Sequence, residues 1–102
     1  MNSKCIAVIG SSGTIGSAVA KLLASQGHRL GLHYCGNRKP LESIPTSLSE
    51  HGPHIIHQSP LATLDDGRST VSYFRQNLGQ LDGLALCAGR VPWKKEDELT
   101  AD

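Results

Sequence analysis

The chain has 102 residues, a net charge of +1 and 38% hydrophobic residues. This length supplies one small domain, and the near-neutral charge gives no attraction to nucleic acid or to an anionic membrane. No apolar run is long enough to cross a bilayer and the first residues, MNSKCIAVIG, lack the pattern of a secretory signal, so we expect a cytoplasmic protein that binds neither nucleic acid nor membrane.

The first predicted elements are a strand, a helix and a second strand. The apolar run KCIAVI (4–9) is typical of a strand buried on both faces. From Thr14 apolar residues recur at helical spacing, and we expect Gly27 to end this helix in the left-handed conformation. HRLGLHY (28–34) follows closely, which predicts a parallel strand–helix–strand crossover. The larger apolar residues of the helix are Ile15, Val19, Leu22 and Leu23.

The middle of the chain has a less regular pattern. Residues 36–53 keep some helical spacing, but Pro45 interrupts it, so we expect a short or broken helix that opens at Pro40. The run HIIHQ (54–58) predicts a third strand. Residues 60–68 contain DDG and are predicted to form a polar loop with a turn.

A further helix and a fourth strand complete the pattern. We expect Ser69 to cap this helix and Gly79 to end it. The segment LDGLALCAG (81–89) predicts a strand that runs into a loop of small residues. The apolar face of the helix is formed by Val71, Phe74 and Leu78.

The order of these elements predicts the fold class. A β-α-β-α-β-α-β chain is one half of a doubly wound parallel sheet, so we predict an α/β protein with an incomplete Rossmann-type fold. The half-domain is expected over residues 1–89, followed by a polar tail over residues 90–102.

No metal site or redox site is predicted. The three cysteines are far apart and none forms a C-x-x-C pair, so we expect small buried residues in a reducing compartment. His54 and His57 fall on opposite faces of the predicted third strand, which argues against a shared metal ion. The cysteines are Cys5, Cys35 and Cys87.

Three glycines, Gly10, Gly13 and Gly16, stand three residues apart between the first strand and its helix. The first glycine in such a loop permits a sharp turn, and a later one lets the helix pack closely on the sheet. The loop amides and the positive end of the helix then face one point, where a pyrophosphate fits. A glycine-rich turn that only packs tightly is the alternative. Three hydroxyl donors lie in the same loop, on Ser11, Ser12 and Thr14.

The end of the second strand distinguishes between two dinucleotides. An acidic residue there would accept hydrogen bonds from the ribose hydroxyls of NAD, but HYCGNRK is followed by no carboxylate before Glu42. Arg38 and Lys39 stand there instead, and arginine pairs with a 2′-phosphate in a bidentate way. We therefore predict NADP rather than NAD, with a solvated loop as the alternative role for Arg38 and Lys39.

With these motifs the sequence resembles the short-chain dehydrogenase/reductase family. VIGSSGTIG (8–16) resembles the family's T-G-x-x-x-G-x-G loop, and LCAG (86–89) stands where the family has N-N-A-G. The sequence looks most like reductases of the 3-oxoacyl-[acyl-carrier-protein] reductase type, many of which use NADPH. Together with the glycine loop, the resemblance gives a set of cofactor-binding residues: Gly10, Ser11, Ser12, Gly13, Thr14, Ile15, Gly16, Tyr34, Arg38, Cys87, Ala88 and Gly89.

The resemblance implies hydride transfer between NADPH and a carbonyl or alcohol. For this chemistry the family uses a serine and a Tyr-x-x-x-Lys pair downstream of N-N-A-G. Here the residue four positions after Tyr34 is Arg38, and the residue four positions after Tyr73 is Asn77. We therefore name no catalytic residue and expect the NADP-binding N-terminal portion of a short-chain oxidoreductase, truncated and inactive alone.

Two other functions stay open at this point. One is a non-catalytic module that senses a nucleotide. The other is a subunit-interaction module, because the predicted fourth strand, LALCA, would leave an apolar edge exposed. Such an edge favours self-association or a partner chain that covers it.

Overall fold

The computed structural model describes residues 3–87, which form a parallel β-sheet with helices on both faces. The strands are β1 (Cys5–Ile9), β2 (Arg29–Tyr34), β3 (Ile55–Gln58) and β4 (Gly83–Leu86), and the helices are α1 (Thr14–Ser25), α2 (Leu64–Leu78) and a short 3-10 helix (Lys39–Ser43). The strand order is β3-β2-β1-β4, and each neighbouring pair runs parallel. This confirms the predicted α/β class with a Rossmann-type order of strands.

Strand β1 lies inside the sheet with both faces covered, as its apolar run predicts. Successive side chains of a strand point to opposite faces, so an uninterrupted apolar strand contributes to two cores. The core on the α2 side contains Cys5, Ala7, Ile9, Phe74 and Leu78. The core on the α1 side contains Val8, Ala20, Ala24, Leu30, Leu32, Leu41 and Ile44.

The ring of Phe74 packs directly on the backbone of β2. A Cβ atom at Gly31 would lie 2.5 Å from Cδ1 of this ring, which is itself fully buried. A glycine is therefore required inside β2, because only a residue without a side chain lets the ring of α2 approach so closely.

Helix α1 is confirmed, but its fully buried residues are small ones, and of its larger apolar residues Leu23 packs against the core only partly buried. Gly16, Ala20 and Ala24 face the sheet and are buried. By contrast, Ile15 is 72% exposed and Leu22 is 58% exposed. The small side chains of Gly16, Ala20 and Ala24 let the helix lie close to the sheet. The spacing of the larger apolar residues therefore predicts the helix correctly but does not show which side of it is buried.

Helix α2 begins earlier than the sequence predicts, and the predicted loop over residues 60–68 is wrong in its second half. The N-cap is Thr63, not Ser69. The Thr63 hydroxyl accepts from the Asp66 amide at 3.1 Å, and the Asp66 carboxylate accepts from the Thr63 amide at 3.0 Å. These two hydrogen bonds form a capping box, and Asp65 adds a negative charge at the positive end of the helix. The DDG motif therefore lies in the first turn of α2 and does not form a separate turn.

The predicted ends of both helices are confirmed. Gly27 and Gly79 follow α1 and α2 with φ angles of +88° and +80°. The short 3-10 helix has Pro40 in its first turn, as expected for the irregular segment. Ala88, Gly89 and the predicted polar tail over residues 90–102 lie outside the described residues.

Three further observations concern residues 3–87. No helix in this part of the chain is long and apolar enough to span a membrane. These residues also bring together no group of three side chains that would hold a metal ion. The three cysteines are free thiols. Cys5 is buried as expected and Cys87 is partly buried, but Cys35 is exposed, so the expectation of burial is wrong for Cys35.

Replacing Gly16 by alanine should destabilise the fold by about 2–3 kcal/mol. The added Cβ would overlap the Gly10 carbonyl oxygen and lie 2.8 Å from the carbonyl carbon, and neither backbone atom can move freely. Urea denaturation of Gly16→Ala and of the unsubstituted chain measures the difference.

The matched control is Gly13→Ala, in the same loop. A Cβ at Gly13 would lie at an ordinary 3.5 Å from the Gly10 oxygen, so the change in unfolding free energy should stay within about 1 kcal/mol. Equal losses in the two variants would contradict the proposed close contact at Gly16.

Candidate functional site

The carboxyl ends of the strands border a cleft of about 850 Å³. In a doubly wound sheet, ligands bind outside these ends, where the direction of the connections reverses. With the order β3-β2-β1-β4, that point lies between β1 and β4. Residues that follow all four strands contribute to the cleft, together with the end of β2: Gly10, Ser12, Gly13, His33, Cys35, Gly36, Asn37, Pro60, Leu61 and Cys87.

The predicted glycine loop forms the floor of this cleft. Gly10 turns the chain directly after β1 with a φ angle of +83°, which favours glycine. The Gly13 amide then donates to the Gly10 carbonyl oxygen at 3.2 Å and closes the turn. Gly16 lies against the same carbonyl group, so the first turn of α1 is held close to the end of β1.

Several amides of this loop and of the first helical turn donate to no other described residue. The first amides of an α-helix have no acceptor within the helix. The first turn of α1 also contains no acidic side chain, so its partial positive charge is not neutralised there. An anion would satisfy both the donors and the charge. The amides concerned are those of Ser12, Thr14, Ile15 and Gly16.

Ser11 differs from its neighbours because it is turned into the protein. Its side chain is fully buried. Its hydroxyl donates to the His33 carbonyl oxygen at 2.7 Å, and its amide donates to the same oxygen at 2.8 Å. The hydroxyl donor expected from Ser11 is thus already used inside the fold, whereas Ser12 lines the cleft and Thr14 is exposed.

His33, near the end of β2, links the loops that follow β1 and β3. Its Nδ1 accepts from the Gly10 amide at 3.0 Å, and its Nε2 lies 2.9 Å from the Ser59 carbonyl oxygen. Because an amide only donates and a carbonyl only accepts, the ring is neutral and carries its proton on Nε2. Burial lowers the pKa of His33 below its usual value, against an opposing effect of the Ser59 carbonyl, and His57 lowers it further.

Of the other predicted site residues, Cys87 lines the cleft, Arg38 lies beside it and Tyr34 packs against the core. Tyr34 ends β2 and packs against the core on the α1 side. Arg38 is exposed and directly follows the cleft residue Asn37. Cys87 lines the cleft next to the end of β1. Two predicted residues, Ala88 and Gly89, are outside the described part of the chain.

Sequence reasoning missed His33 and Leu61 as cleft residues. His33 is the polar residue that interrupts the apolar run of β2 near its end, and this interruption was the available signal. Leu61 has a φ angle of +51°, a conformation that leucine rarely adopts. Such strain is common at ligand sites but leaves no mark in the sequence.

Comparison with known proteins agrees with this architecture. The family described as short chain dehydrogenase matches residues 4–102. The chain is 32% identical over 87 residues to carbonyl reductase family member 4 of Xenopus laevis, across 85% of this chain and 35% of that protein. The crystal structure of DEH reductase A1-R′ mutant superposes with a TM-score of 0.64 at 24% identity, over 81% of this chain and 34% of that one, which supports the fold.

The chain therefore spans about a third of the length of these two relatives. The family match covers nearly the whole sequence, and the superposition supports the predicted fold. On these grounds the chain belongs to the short-chain dehydrogenase family.

Proposed function

We propose that this chain binds NADP and forms the nucleotide-binding part of a short-chain oxidoreductase. The observation that carries the proposal is that the amides of Ser12, Thr14, Ile15 and Gly16 donate to no other described residue, in a loop that lines the cleft through Gly10, Ser12 and Gly13. A pyrophosphate supplies negative charge and several acceptor oxygens at one place, which is what these donors lack. Membership of the short-chain dehydrogenase family supports a nicotinamide dinucleotide, NAD or NADP, as the ligand.

The residues of the loop fit a dinucleotide. Gly13 lines the cleft and is exposed, so its own lack of a side chain leaves the backbone open at this point of the loop. The close approach of Gly16 to Gly10 fixes the direction of the first helical turn. These features allow phosphate oxygens to reach the amides of Ser12 and Thr14 directly.

The choice of NADP over NAD is supported by the charges near the end of β2. Among residues 3–87 no acidic side chain lines the cleft, and the first carboxylate after β2 is that of Glu42 in the 3-10 helix. Arg38 and Lys39 are exposed next to the cleft residue Asn37. We infer that Arg38 pairs with the 2′-phosphate, since a guanidinium binds phosphate in a bidentate way.

Bound NADPH would supply a hydride for reduction of a carbonyl, a reaction that the name of the carbonyl reductase relative supports. Neither tyrosine of the chain lies at the cleft. Tyr34 packs in the core on the α1 side, and the ring of Tyr73 stacks on His57 with 4.1 Å between centroids. Neither is followed by lysine four residues later. We therefore propose that these 102 residues bind NADPH without turning it over.

Titration of the chain with NADPH, followed by fluorescence or calorimetry, tests this function. The decisive variant is Gly13→Asp. The aspartate would place a carboxylate at the N-cap of α1, where it competes with phosphate for the amides and repels it. We expect saturable binding by the unsubstituted chain and affinity at least about tenfold weaker in Gly13→Asp. Stability should be unchanged or slightly higher, because aspartate is a good N-cap.

Gly13→Ser is the control, because serine caps the helix without adding charge. Its NADPH affinity should fall by no more than about threefold, equivalent to less than 1 kcal/mol. Absence of binding by the unsubstituted chain would refute NADP binding. The same samples, incubated with a panel of ketones, should show no sustained NADPH oxidation, and steady turnover would refute the inactivity of the chain.

Arg38→Ala should weaken NADPH binding by roughly tenfold to a hundredfold and leave NADH binding unchanged, because only NADPH carries the 2′-phosphate. Competition titrations with both nucleotides measure the ratio. Lys21→Ala removes one positive charge from the exposed side of α1 and should affect neither affinity. A parallel loss of NADH affinity in Arg38→Ala would show that Arg38 does not select the nucleotide.

A second property is suggested by strand β4, and we propose that its edge pairs with a second copy of the chain. Among the described residues β4 stands at the edge of the sheet. Ala85 turns toward the core on the α1 side, so Leu84 and Leu86 point to the other face, where they are 45% and 76% exposed. An apolar edge strand of this kind favours pairing with another strand.

Leu86→Lys should shift the chain toward monomer, because a charged side chain opposes strand pairing at an edge. Sedimentation velocity over a range of protein concentrations measures the change. Leu48→Lys is the matched control, since Leu48 is 75% exposed and lies outside the sheet. A monomeric unsubstituted chain at all concentrations would contradict self-association.

A further inference from the structure

The glycine loop is tied to β2 through a single residue. Three hydrogen bonds run from the loop to His33: from the Gly10 amide to Nδ1 at 3.0 Å, from the Ser11 amide to the carbonyl oxygen at 2.8 Å, and from the Ser11 hydroxyl to the same oxygen at 2.7 Å. The two bonds of Ser11 use the backbone of His33, so any residue at this position would accept them. The bond of Gly10 depends on the side chain.

The imidazole also reaches the loop on the other side of β2. Its Nε2 donates to the Ser59 carbonyl oxygen at 2.9 Å, and Ser59 is followed by the cleft residues Pro60 and Leu61. A neutral imidazole offers one acceptor and one donor on opposite sides of a rigid ring. The ring therefore sets the separation between the two loops that border the cleft.

The Gly10 bond matters because Gly10 sets the geometry of the loop that follows. The carbonyl group of Gly10 accepts from the Gly13 amide and lies against Gly16. The amide of Gly10 is the group that His33 holds. If this amide loses its acceptor, the turn at Gly10 can rotate, and the amides of Ser12 and Thr14 change direction.

We propose that His33 is a positioning residue, whose Nδ1 acceptor holds Gly10 so that the loop amides point at the phosphates. This inference rests on the proposed NADP binding. His33 acts through Gly10, and a bond between its side chain and the nucleotide is not required. The contribution of Nδ1 is therefore separable from that of Nε2, which joins β2 to the loop after β3.

The chain contains a matched histidine that does not border the cleft. The Nδ1 atom of His54 accepts from the Leu30 amide at 2.9 Å, and its Nε2 lies 2.9 Å from the Pro45 carbonyl oxygen. His54 precedes β3, so it lies at the amino edge of the sheet, at the opposite end from the cleft. The two histidines form the same kind of bridge in different places.

Two substitutions separate the two nitrogen atoms of His33. Asparagine places an amide oxygen near the position of Nδ1 and cannot reach Ser59, whereas glutamine reaches the position of Nε2 and offers no acceptor near Nδ1. We expect His33→Asn to bind NADPH within about threefold of the unsubstituted chain, and His33→Gln to bind about tenfold more weakly. His54→Gln should lower the urea midpoint without changing NADPH affinity.

Two NMR measurements test the contact itself, without nucleotide. In the unsubstituted chain we expect a 15N–15N coupling across the hydrogen bond between the Gly10 amide and Nδ1 of His33. Hydrogen exchange of the Gly10 amide should be slow in this chain and in His33→Asn, and faster in His33→Gln.

The outcomes distinguish this proposal from NADP binding. If the unsubstituted chain binds no NADPH, the proposed function fails, and the coupling and the Gly10 exchange rates alone decide whether His33 holds the loop. Absence of the coupling would overturn the proposal. Equal loss of NADPH affinity in His33→Asn and His33→Gln would also overturn it, because that result assigns His33 a general structural role.

Discussion

The contact between Gly16 and the Gly10 carbonyl group determines the geometry of the site. Because Gly16 has no side chain, the first turn of α1 lies directly against the end of β1. The amides of this turn, which donate to no other residue of the described part of the chain, are thereby brought to the carboxyl ends of the strands, where residues after all four described strands meet in one cleft. A larger residue at this position would separate the positive end of the helix from the cleft.

The amino ends and the carboxyl ends of the strands differ in how their polar groups form hydrogen bonds. At the amino edge, side chains bond the backbone: Arg29 donates to the carbonyl oxygens of Pro53 and Leu78, and Asp82 accepts from the Cys5 amide. This bond with the Cys5 amide holds the pKa of Asp82 below its usual value. At the carboxyl ends, the amides of Ser12, Thr14, Ile15 and Gly16 donate to no other described residue. This asymmetry is typical of a fold that is closed at one end and binds a ligand at the other.

The predictions that succeeded depend on local rules. The apolar runs of β1 and β2, the helix ends at Gly27 and Gly79, and the turn at Gly10 follow from the conformational preferences of a few neighbouring residues. The start of α2 was mispredicted because two local signals compete in TLDDG, and the capping box is the stronger. The roles of His33 and Ser11 depend on partners 22 to 26 residues away, which spacing along the chain does not reveal.

The row of small residues on α1 also limits how this sequence can diverge. Gly16, Ala20 and Ala24 lie one turn apart along the side that touches the sheet, so an enlarged side chain at any of them would lift the helix away from the sheet, including its N-terminal end at the cleft. The opposite side, with Ile15 and Leu22, is largely exposed among the described residues. We therefore expect substitutions to be tolerated on the outer surface of α1 and to reduce stability on its inner surface.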